Sequence, residues 1–112
     1  MRKILTYGGY FELFLKNLSS KEVLKVQYVV SLLASEERLP KKFIKFIREE
    51  LFELRIAFNG NAFRVFFIFD EGNIVVIFNG FSKKSQKIPR KEIEKALKLK
   101  EAYYEDKQSR HR

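Results

Sequence analysis

Residues 51–81, LFELRIAFNGNAFRVFFIFDEGNIVVIFNGF, contain three runs rich in Phe, Val and Ile. Asn59-Gly60 joins the first two runs, and the segment 70–73, which also contains a glycine, joins the second to the third. An Asn-Gly pair between such runs is the strongest short-range signal for a β-hairpin, because both residues adopt positive φ angles readily. The stretch therefore predicts a three-stranded antiparallel meander.

The Asn59-Gly60 turn also predicts which residues face each other. In a two-residue loop Phe58 pairs with Asn61, and Arg55 then lies directly opposite Arg64. Side chains alternate between the two faces of a sheet, so one face is expected to form a core against helices. That face would hold Phe52, Leu54, Ile56, Phe58, Phe63, Val65, Phe67 and Phe69, with Val76 and Phe78 if the second turn keeps the register.

The opposite face carries the charges. It would hold Glu53, Arg55, Arg64, Asn79 and Phe81 among Phe66, Ile68, Val75 and Ile77. Two like charges directly opposite each other destabilise a strand pair unless something offsets them. Either Glu53 is a structural partner of the two arginines, or the arginines form an anion-binding site, and the pattern leaves both open.

Helical patterns surround the meander. On its N-terminal side the predicted elements are a strand over residues 2–7, a helix over 10–17, and a helix from Ser19 or Ser20 to about Ser35. Residues 41–50, KKFIKFIREE, fit either a short helix or an extended connector.

On the C-terminal side, Pro89 is expected to begin a last helix that reaches about Asp106, because proline favours the first helical turn. Its stripe would be Ile93, Ala96, Leu97, Lys100 and Tyr104. The tail 107–112 is expected to fray. The chain thus predicts one α+β domain over residues 1–112.

Composition narrows the classes of function. The chain has 112 residues, is 46% hydrophobic, has no Cys and carries a formal net charge of +9. Such a chain is too apolar for disorder, and disulfides and Cys nucleophiles are excluded. The N-terminus has no signal-peptide pattern and no apolar run reaches the length of a membrane span, so a cytoplasmic protein without a membrane role is expected. The charge favours a polyanionic partner.

The residues available for chemistry are few. His111 is the only histidine, and Glu53, Asp70 and Glu71 do not cluster in the predicted strands, so neither a metal site nor a Ser-His system is expected. No glycine-rich phosphate loop is present. Guanidinium and ammonium groups acting on phosphate remain, without a cofactor. They could stabilise the attack of an RNA 2′-hydroxyl on its own phosphodiester, although a cationic binding surface would have the same composition.

A basic corner follows the third strand. Residues 79–96, NGFSKKSQKIPRKEIEKA, contain Lys83, Lys84, Lys87, Arg90 and Lys91. The three residues Lys83, Lys84 and Lys87 are expected to face the arginine pair, and Arg90 and Lys91 to lie at the solvated start of the last helix.

The motifs ELR, FR, FDEG, GF-x-KK-x-QK-x-P and EI-x-x-A occur in this order between Leu51 and about Glu105. In this ordered set the chain resembles the RelE/HigB-type toxins of bacterial toxin–antitoxin systems, above all their phage-derived HigB-like branch. The resemblance implies a RelE-like fold with a small mixed sheet, and a toxin that cuts mRNA in the ribosomal A site. It also implies a cognate antitoxin with a helix-turn-helix domain.

The resemblance assigns roles to the basic residues. Arg64 matches the strand arginine at the scissile phosphate, and Arg55 lies beside it. The turn lysines Lys83, Lys84 and Lys87 complete the catalytic set, whereas Lys42, Lys45, Arg90 and Lys91 would contact RNA only.

This sequence also departs from the family pattern. Several relatives have a Tyr or His near the phosphate for proton transfer, and this turn has Ser85 and Gln86 instead. Tyr103 and Tyr104 lie on the last helix, where they can be packing residues. Two alternatives to a nuclease therefore stay open: a gyrase poison on the same fold, and an inactive module that binds RNA or antitoxin.

Overall fold

The computed structural model describes residues 1–84 and 86–110. The elements in chain order are β1 (Lys3–Thr6), α1 (Tyr10–Lys16), α2 (Ser20–Ser35), β2 (Ile44–Arg48), β3 (Leu51–Phe58), β4 (Asn61–Asp70), β5 (Ile74–Lys83) and α3 (Arg90–Arg110). The five strands form one mixed sheet in the order β1-β5-β4-β3-β2, in which β1 is parallel to β5 and the other pairs are antiparallel. The predicted α+β class and the meander are confirmed, and the sheet has one strand more than expected.

The additional strand is β2, from the segment whose structure the sequence left ambiguous. It pairs antiparallel with β3, placing Lys45 opposite Glu53. The turn between them contains Glu49 at φ 50° and Glu50 at φ 64°. Positive φ angles are uncommon for glutamate. Because this tight turn lacks the Gly or Asn that normally identifies a hairpin, the sequence gives no signal for it. The short-helix interpretation of residues 44–48 is therefore wrong.

The first hairpin has the predicted register. Phe58 pairs with Asn61 and Arg55 lies directly opposite Arg64. Asn59 and Gly60 both have positive φ, at 50° and 78°, as a two-residue hairpin turn requires.

The second hairpin reverses part of the predicted face assignment. Asp70 pairs with Ile74 and Phe69 with Val75, so the loop has three residues instead of four. Glu71 and Gly72 adopt positive φ there. Because the register depends on loop length, Val75 and Ile77 share the face of Phe69, and Val76 and Phe78 lie on the other. The expectation that Val76 and Phe78 continue the first face was wrong, as was the placement of Val75 and Ile77.

Each face of the sheet packs against helices. The first core lies between the sheet and helices α1 and α2; its buried members include Phe14, Val26, Leu33, Leu54 and Phe67. The second core lies under α3 and includes Phe66, Ile68, Val76, Phe78 and Ala96. The C-terminal helix therefore covers the apolar residues Phe66 and Ile68 of the outer face.

Strand β5 has a β-bulge near its middle. The pairing of β4 with β5 shifts between Val65 and Phe67, which leaves an extra residue on β5. The shift places Phe81 opposite Arg64. Helix α1 packs closely at Gly80, where a Cβ atom would lie 2.6 Å from the Phe14 ring.

Local signals position the helices. Ser19 accepts a hydrogen bond from the backbone N–H of Glu22, whose carboxylate accepts one from the Ser19 N–H. This capping box makes Ser19, one of the two predicted candidates, the residue that caps the start of α2. Helix α3 begins directly after Pro89 and continues to Arg110, so residues 107–110 are helical rather than frayed. The predicted fraying of His111 and Arg112 lies outside the described residues. No helix within the described residues is long and apolar enough to span a membrane.

Candidate functional site

Glu53 is almost fully buried, at 1% exposure, on the face of the sheet that α3 partly covers. Its Oε1 lies 3.6 Å from Nε of Arg64 and 3.8 Å from Nε of Arg55. The hairpin register explains this arrangement, because it places the two arginines opposite each other and Glu53 two residues before Arg55 on the same face. One carboxylate oxygen thus lies between two guanidinium groups.

Arg64 is buried as well, at 8% exposure. Its Nη1 donates a hydrogen bond to the carbonyl oxygen of Phe63 at 2.9 Å. The Arg55 side chain is 39% exposed. The pair therefore has one arginine held inside the protein and one open to solvent.

Two lysines extend the positive charge on the same face. Lys45 on β2 lies opposite Glu53. Lys83 at the end of β5 lies opposite Ala62, which is two residues before Arg64 on β4 and on the same face. Both exert a Coulombic effect on Glu53. We refer to Lys45, Arg55, Arg64 and Lys83 as the cationic cluster. Four cations against one carboxylate leave a formal excess of three positive charges.

Burial dominates the electrostatics of the site. It raises the pKa of the Glu53 carboxyl above its ordinary value, although Arg64 and Arg55 in particular oppose the shift. Burial also lowers the pKa of Arg64, and Glu53 opposes that shift. An arginine keeps its charge at physiological pH despite such a shift. The site is therefore a concentrated, partly desolvated positive charge.

Three buried polar atoms have no hydrogen-bond partner among the described residues: Glu53 Oε2, Arg64 Nε and Asn79 Oδ1. The Nδ2 of Asn79 donates to both the backbone oxygen and Oε1 of Glu92, each at 3.1 Å, which joins β5 to the first turn of α3. Unsatisfied buried polar groups are rare in proteins and often lie at functional sites.

The other predicted basic residues lie outside the cationic cluster. Lys84 and Lys87 are exposed in the connection between β5 and α3, and Arg90 and Lys91 are exposed in the first turn of α3. Lys42 lies before β2 with its Nζ 5.0 Å from the centre of the Phe43 ring. The structure thus places Lys83 on the same face of the sheet as the two arginines. Ser85 of the basic corner is not among the described residues.

Lys45 belongs to the cationic cluster, whereas the sequence placed it only among RNA-backbone contacts. The reason is β2, whose pairing with β3 the sequence did not predict. Residues 42–46, KFIKF, do not alternate strictly between polar and apolar residues, and no turn residue marks a hairpin, so the local signal for this strand is weak.

Tyr103 and Tyr104 of α3 pack against each other, and Tyr103 lies at the Asp70 end of β4, away from the cationic cluster. Tyr103 donates a hydrogen bond to Asp70 at 2.7 Å, and its ring packs edge-on against Tyr104 at 5.3 Å. Asp70 lies six residues along β4 from Arg64, about 20 Å for an extended strand. Their interpretation as packing residues is confirmed. Within residues 1–84 and 86–110 there is no group of three Asp, Glu or His side chains close enough to hold a metal ion.

Comparison with known proteins identifies the family of this chain. A search of curated proteins found no match. The model of the family described as "Phage derived protein Gp49-like (DUF891)" matches residues 13–101, which include the cationic cluster and most of the helices. The chain therefore belongs to the Gp49-like family of phage-derived proteins, a RelE/HigB-like family associated with the toxins of toxin–antitoxin systems.

Proposed function

We propose that this protein is a toxin that cleaves mRNA during translation, acting as a ribosome-dependent endoribonuclease. The observation that supports this most is the Arg55–Arg64 pair around the buried Glu53, with Lys45 and Lys83 on the same face. Its charge, geometry and partial exposure suit a phosphodiester. A surface used only for solubility would not need a buried arginine.

The proposed reaction needs no metal. The 2′-hydroxyl oxygen attacks the adjacent phosphorus, the bond from phosphorus to the 5′-oxygen breaks, and the products are a 2′,3′-cyclic phosphate and a 5′-hydroxyl. One proton leaves the 2′-hydroxyl and one is delivered to the departing 5′-oxygen. Arg55 and Arg64 would stabilise the charge on the non-bridging oxygens, because guanidinium groups bind phosphate through two parallel hydrogen bonds. DNA has no 2′-hydroxyl, so the reaction is specific for RNA.

The remaining basic residues take supporting roles in this proposal. Lys83 adds charge at the phosphate, and Lys84 and Lys87 approach from the adjoining connection once the RNA is bound. Exposed Lys42, Arg90 and Lys91 would contact the RNA backbone of the ribosome, together with Lys45. The cognate partner would be an antitoxin with a helix-turn-helix domain.

The test is induced expression in a bacterium followed by primer extension on a translated message. Cuts in phase with codons, absent when the same RNA is untranslated, are expected for the wild type. Arg64→Ala should abolish the cuts while antitoxin binding and the folded structure are retained. Arg38→Ala provides the matched control, because it removes the same charge from the exposed connection after α2.

Other outcomes would identify the alternatives. Intact mRNA with induced DNA damage would indicate a gyrase poison on the same fold. Intact mRNA and normal growth would indicate an inactive binding module. Full cleavage by Arg64→Ala would remove Arg64 from the site.

A further inference from the structure

Glu53 is placed unusually for a carboxylate that only offsets charge. It is 1% exposed, and both of its arginine partners contact the same oxygen, Oε1. The distances of 3.6 and 3.8 Å exceed the range of about 2.7–3.2 Å for N–H···O hydrogen bonds. The contacts are therefore electrostatic, and they use none of the guanidinium N–H donors in a hydrogen bond to Glu53.

The burial of Glu53 is costly for stability. Removing a carboxylate from water costs several kcal/mol, and a cation repays this only when the geometry is good and the remaining lone pairs are satisfied. In the part of the chain that the structure describes, Glu53 Oε2 and Arg64 Nε have no hydrogen-bond partner. An apolar side chain would fill the same position without this cost. The arrangement is better explained by the pair of arginines it permits than by stability.

The protein restrains the two arginines differently. Arg64 is fixed by the Phe63 carbonyl at Nη1 and by Glu53 near Nε, whereas Arg55 is more exposed and has Glu53 as its nearby acid. With no negative charge between them, two guanidinium groups directly opposite on adjacent strands would repel each other. Arg55 would then turn towards solvent.

We propose that Glu53 is a positioning residue that holds Arg55 and Arg64 at the separation needed to contact one phosphodiester together. The proposal rests on the proposed function for the identity of that ligand. Loss of the carboxylate should leave the positive charge that attracts RNA but misplace Arg55. A misplacement of about 1 Å can cost about 100-fold in rate.

The first test compares Glu53→Gln with Glu94→Gln, a control that makes the same charge change at an exposed position on α3. Two quantities are measured: cleavage rate at saturating ribosomes, and affinity for ribosomes carrying a message with a 2′-deoxynucleotide at the cut site. Glu53→Gln should bind within about threefold of wild type, because the four cations that attract phosphate are all retained, and cleave about 100-fold more slowly. Glu94→Gln should match wild type in both. Wild-type cleavage by Glu53→Gln, or a rate that falls only in proportion to unfolded protein, would overturn the proposal.

The second test is independent of cleavage. Inorganic phosphate is titrated into ¹⁵N-labelled protein while the Nε–Hε signals of Arg55 and Arg64, assigned with Arg→Lys variants, are followed by NMR. The two signals should respond with one common affinity in wild type and Glu94→Gln, and with different affinities in Glu53→Gln. A common response in Glu53→Gln would overturn the positioning role. A common response in a wild type that cleaves no message would instead refute the nuclease and leave the positioning role standing.

Should Glu53→Gln fail to fold, Glu53→Asp serves in its place. Its carboxylate is retained but withdrawn by one methylene, so cleavage should fall by about tenfold and the common phosphate response should weaken. Wild-type values for both would count against the positioning role.

Discussion

Strand β4 has a buried charged group at each end. Near its start Arg64 lies beside Glu53, and at its last residue Asp70 lies beside Tyr103 and Lys107. Asp70 accepts hydrogen bonds of 2.7 and 2.8 Å from these two residues. Glu53 has partners at 3.6 and 3.8 Å only, and one of its oxygens is unpaired within the described residues.

The pKa shifts of the two carboxyls have opposite directions for this reason. Burial raises the pKa of both. At Asp70 the hydrogen bonds from Lys107 and Tyr103 outweigh burial, and the pKa is lowered. At Glu53 the more distant arginines do not outweigh it, and the pKa is raised. Burial, together with the hydrogen bond to Asp70, raises the pKa of Tyr103 to about 12.

The difference separates a structural group from the group that we propose to be functional. At the Asp70 end a salt bridge and a hydrogen bond join α3 to the sheet, and the contact of Lys107 with Glu71 at 2.9 Å adds to them. At the Glu53 end positive charge exceeds negative charge and donors remain available. A closed network stabilises a fold, whereas an open one can bind an anion.

The largest expected effect is at the Glu53 end of β4, which we call the open end. Arg64→Lys keeps the charge but loses the planar group that binds two phosphate oxygens, so cleavage should fall by about 100-fold or more. The measurement is the single-turnover rate on programmed ribosomes. Arg38→Lys is the control, and a lysine at position 64 that sustains the wild-type rate would show that charge alone is sufficient.

Substitution at the Asp70 end of β4, which we call the closed end, should change the stability of the fold. Asp70→Asn keeps the shape but weakens the hydrogen bonds from Tyr103 and Lys107, and should lower the free energy of unfolding by about 2 kcal/mol. Urea denaturation gives the value. Glu71→Gln is the matched control, since Glu71 is exposed and its loss should cost less than about 0.5 kcal/mol. Folded Asp70→Asn should cleave at the wild-type rate, and a cleavage defect in the folded protein would contradict the separation of the two ends.

The pH dependence of stability provides a sharper test of Asp70. A carboxyl whose folded pKa is lowered contributes stability above its unfolded value, here an ordinary value of 3.8, and loses it as pH falls through the folded pKa. The difference in unfolding free energy between wild type and Asp70→Asn should therefore be largest above about pH 4 and shrink below it. Urea denaturation between pH 3 and 7 measures this. A difference that grows on acidification would contradict the assignment.

The smallest expected effect is at Lys45. It is exposed and belongs to the open end through β2, so Lys45→Ala should reduce the slope of log affinity against log salt by about 1 with little change in cleavage at saturation. Ribosome binding at several salt concentrations measures this slope. Lys25→Ala on α2 is the control, and an unchanged slope for Lys45→Ala would exclude Lys45 from the RNA contacts.

The sequence predicted the features that depend on local turn chemistry. Asn59-Gly60 is sufficient to place Arg55 opposite Arg64, and Ser19 and Ser20 are sufficient to locate the start of α2. The prediction from sequence failed where the turn residues were atypical. The Glu49–Glu50 turn has no Gly or Asn, so β2 was not predicted. The loop after Asp70 has three residues instead of four, so Val75 and Val76 lie on the faces opposite to those predicted.

For the candidate site, the sequence by itself determined the two arginines, their register and the positive charge around them, because a hairpin turn and the alternation of side chains are local properties. Tertiary structure alone decided that Glu53 is buried, that Lys45 joins the cluster, and that Tyr103 and Lys107 are bound to Asp70. These depend on strand pairing and helix packing between residues distant in the chain, where the burial of each group is set by all of its neighbours together.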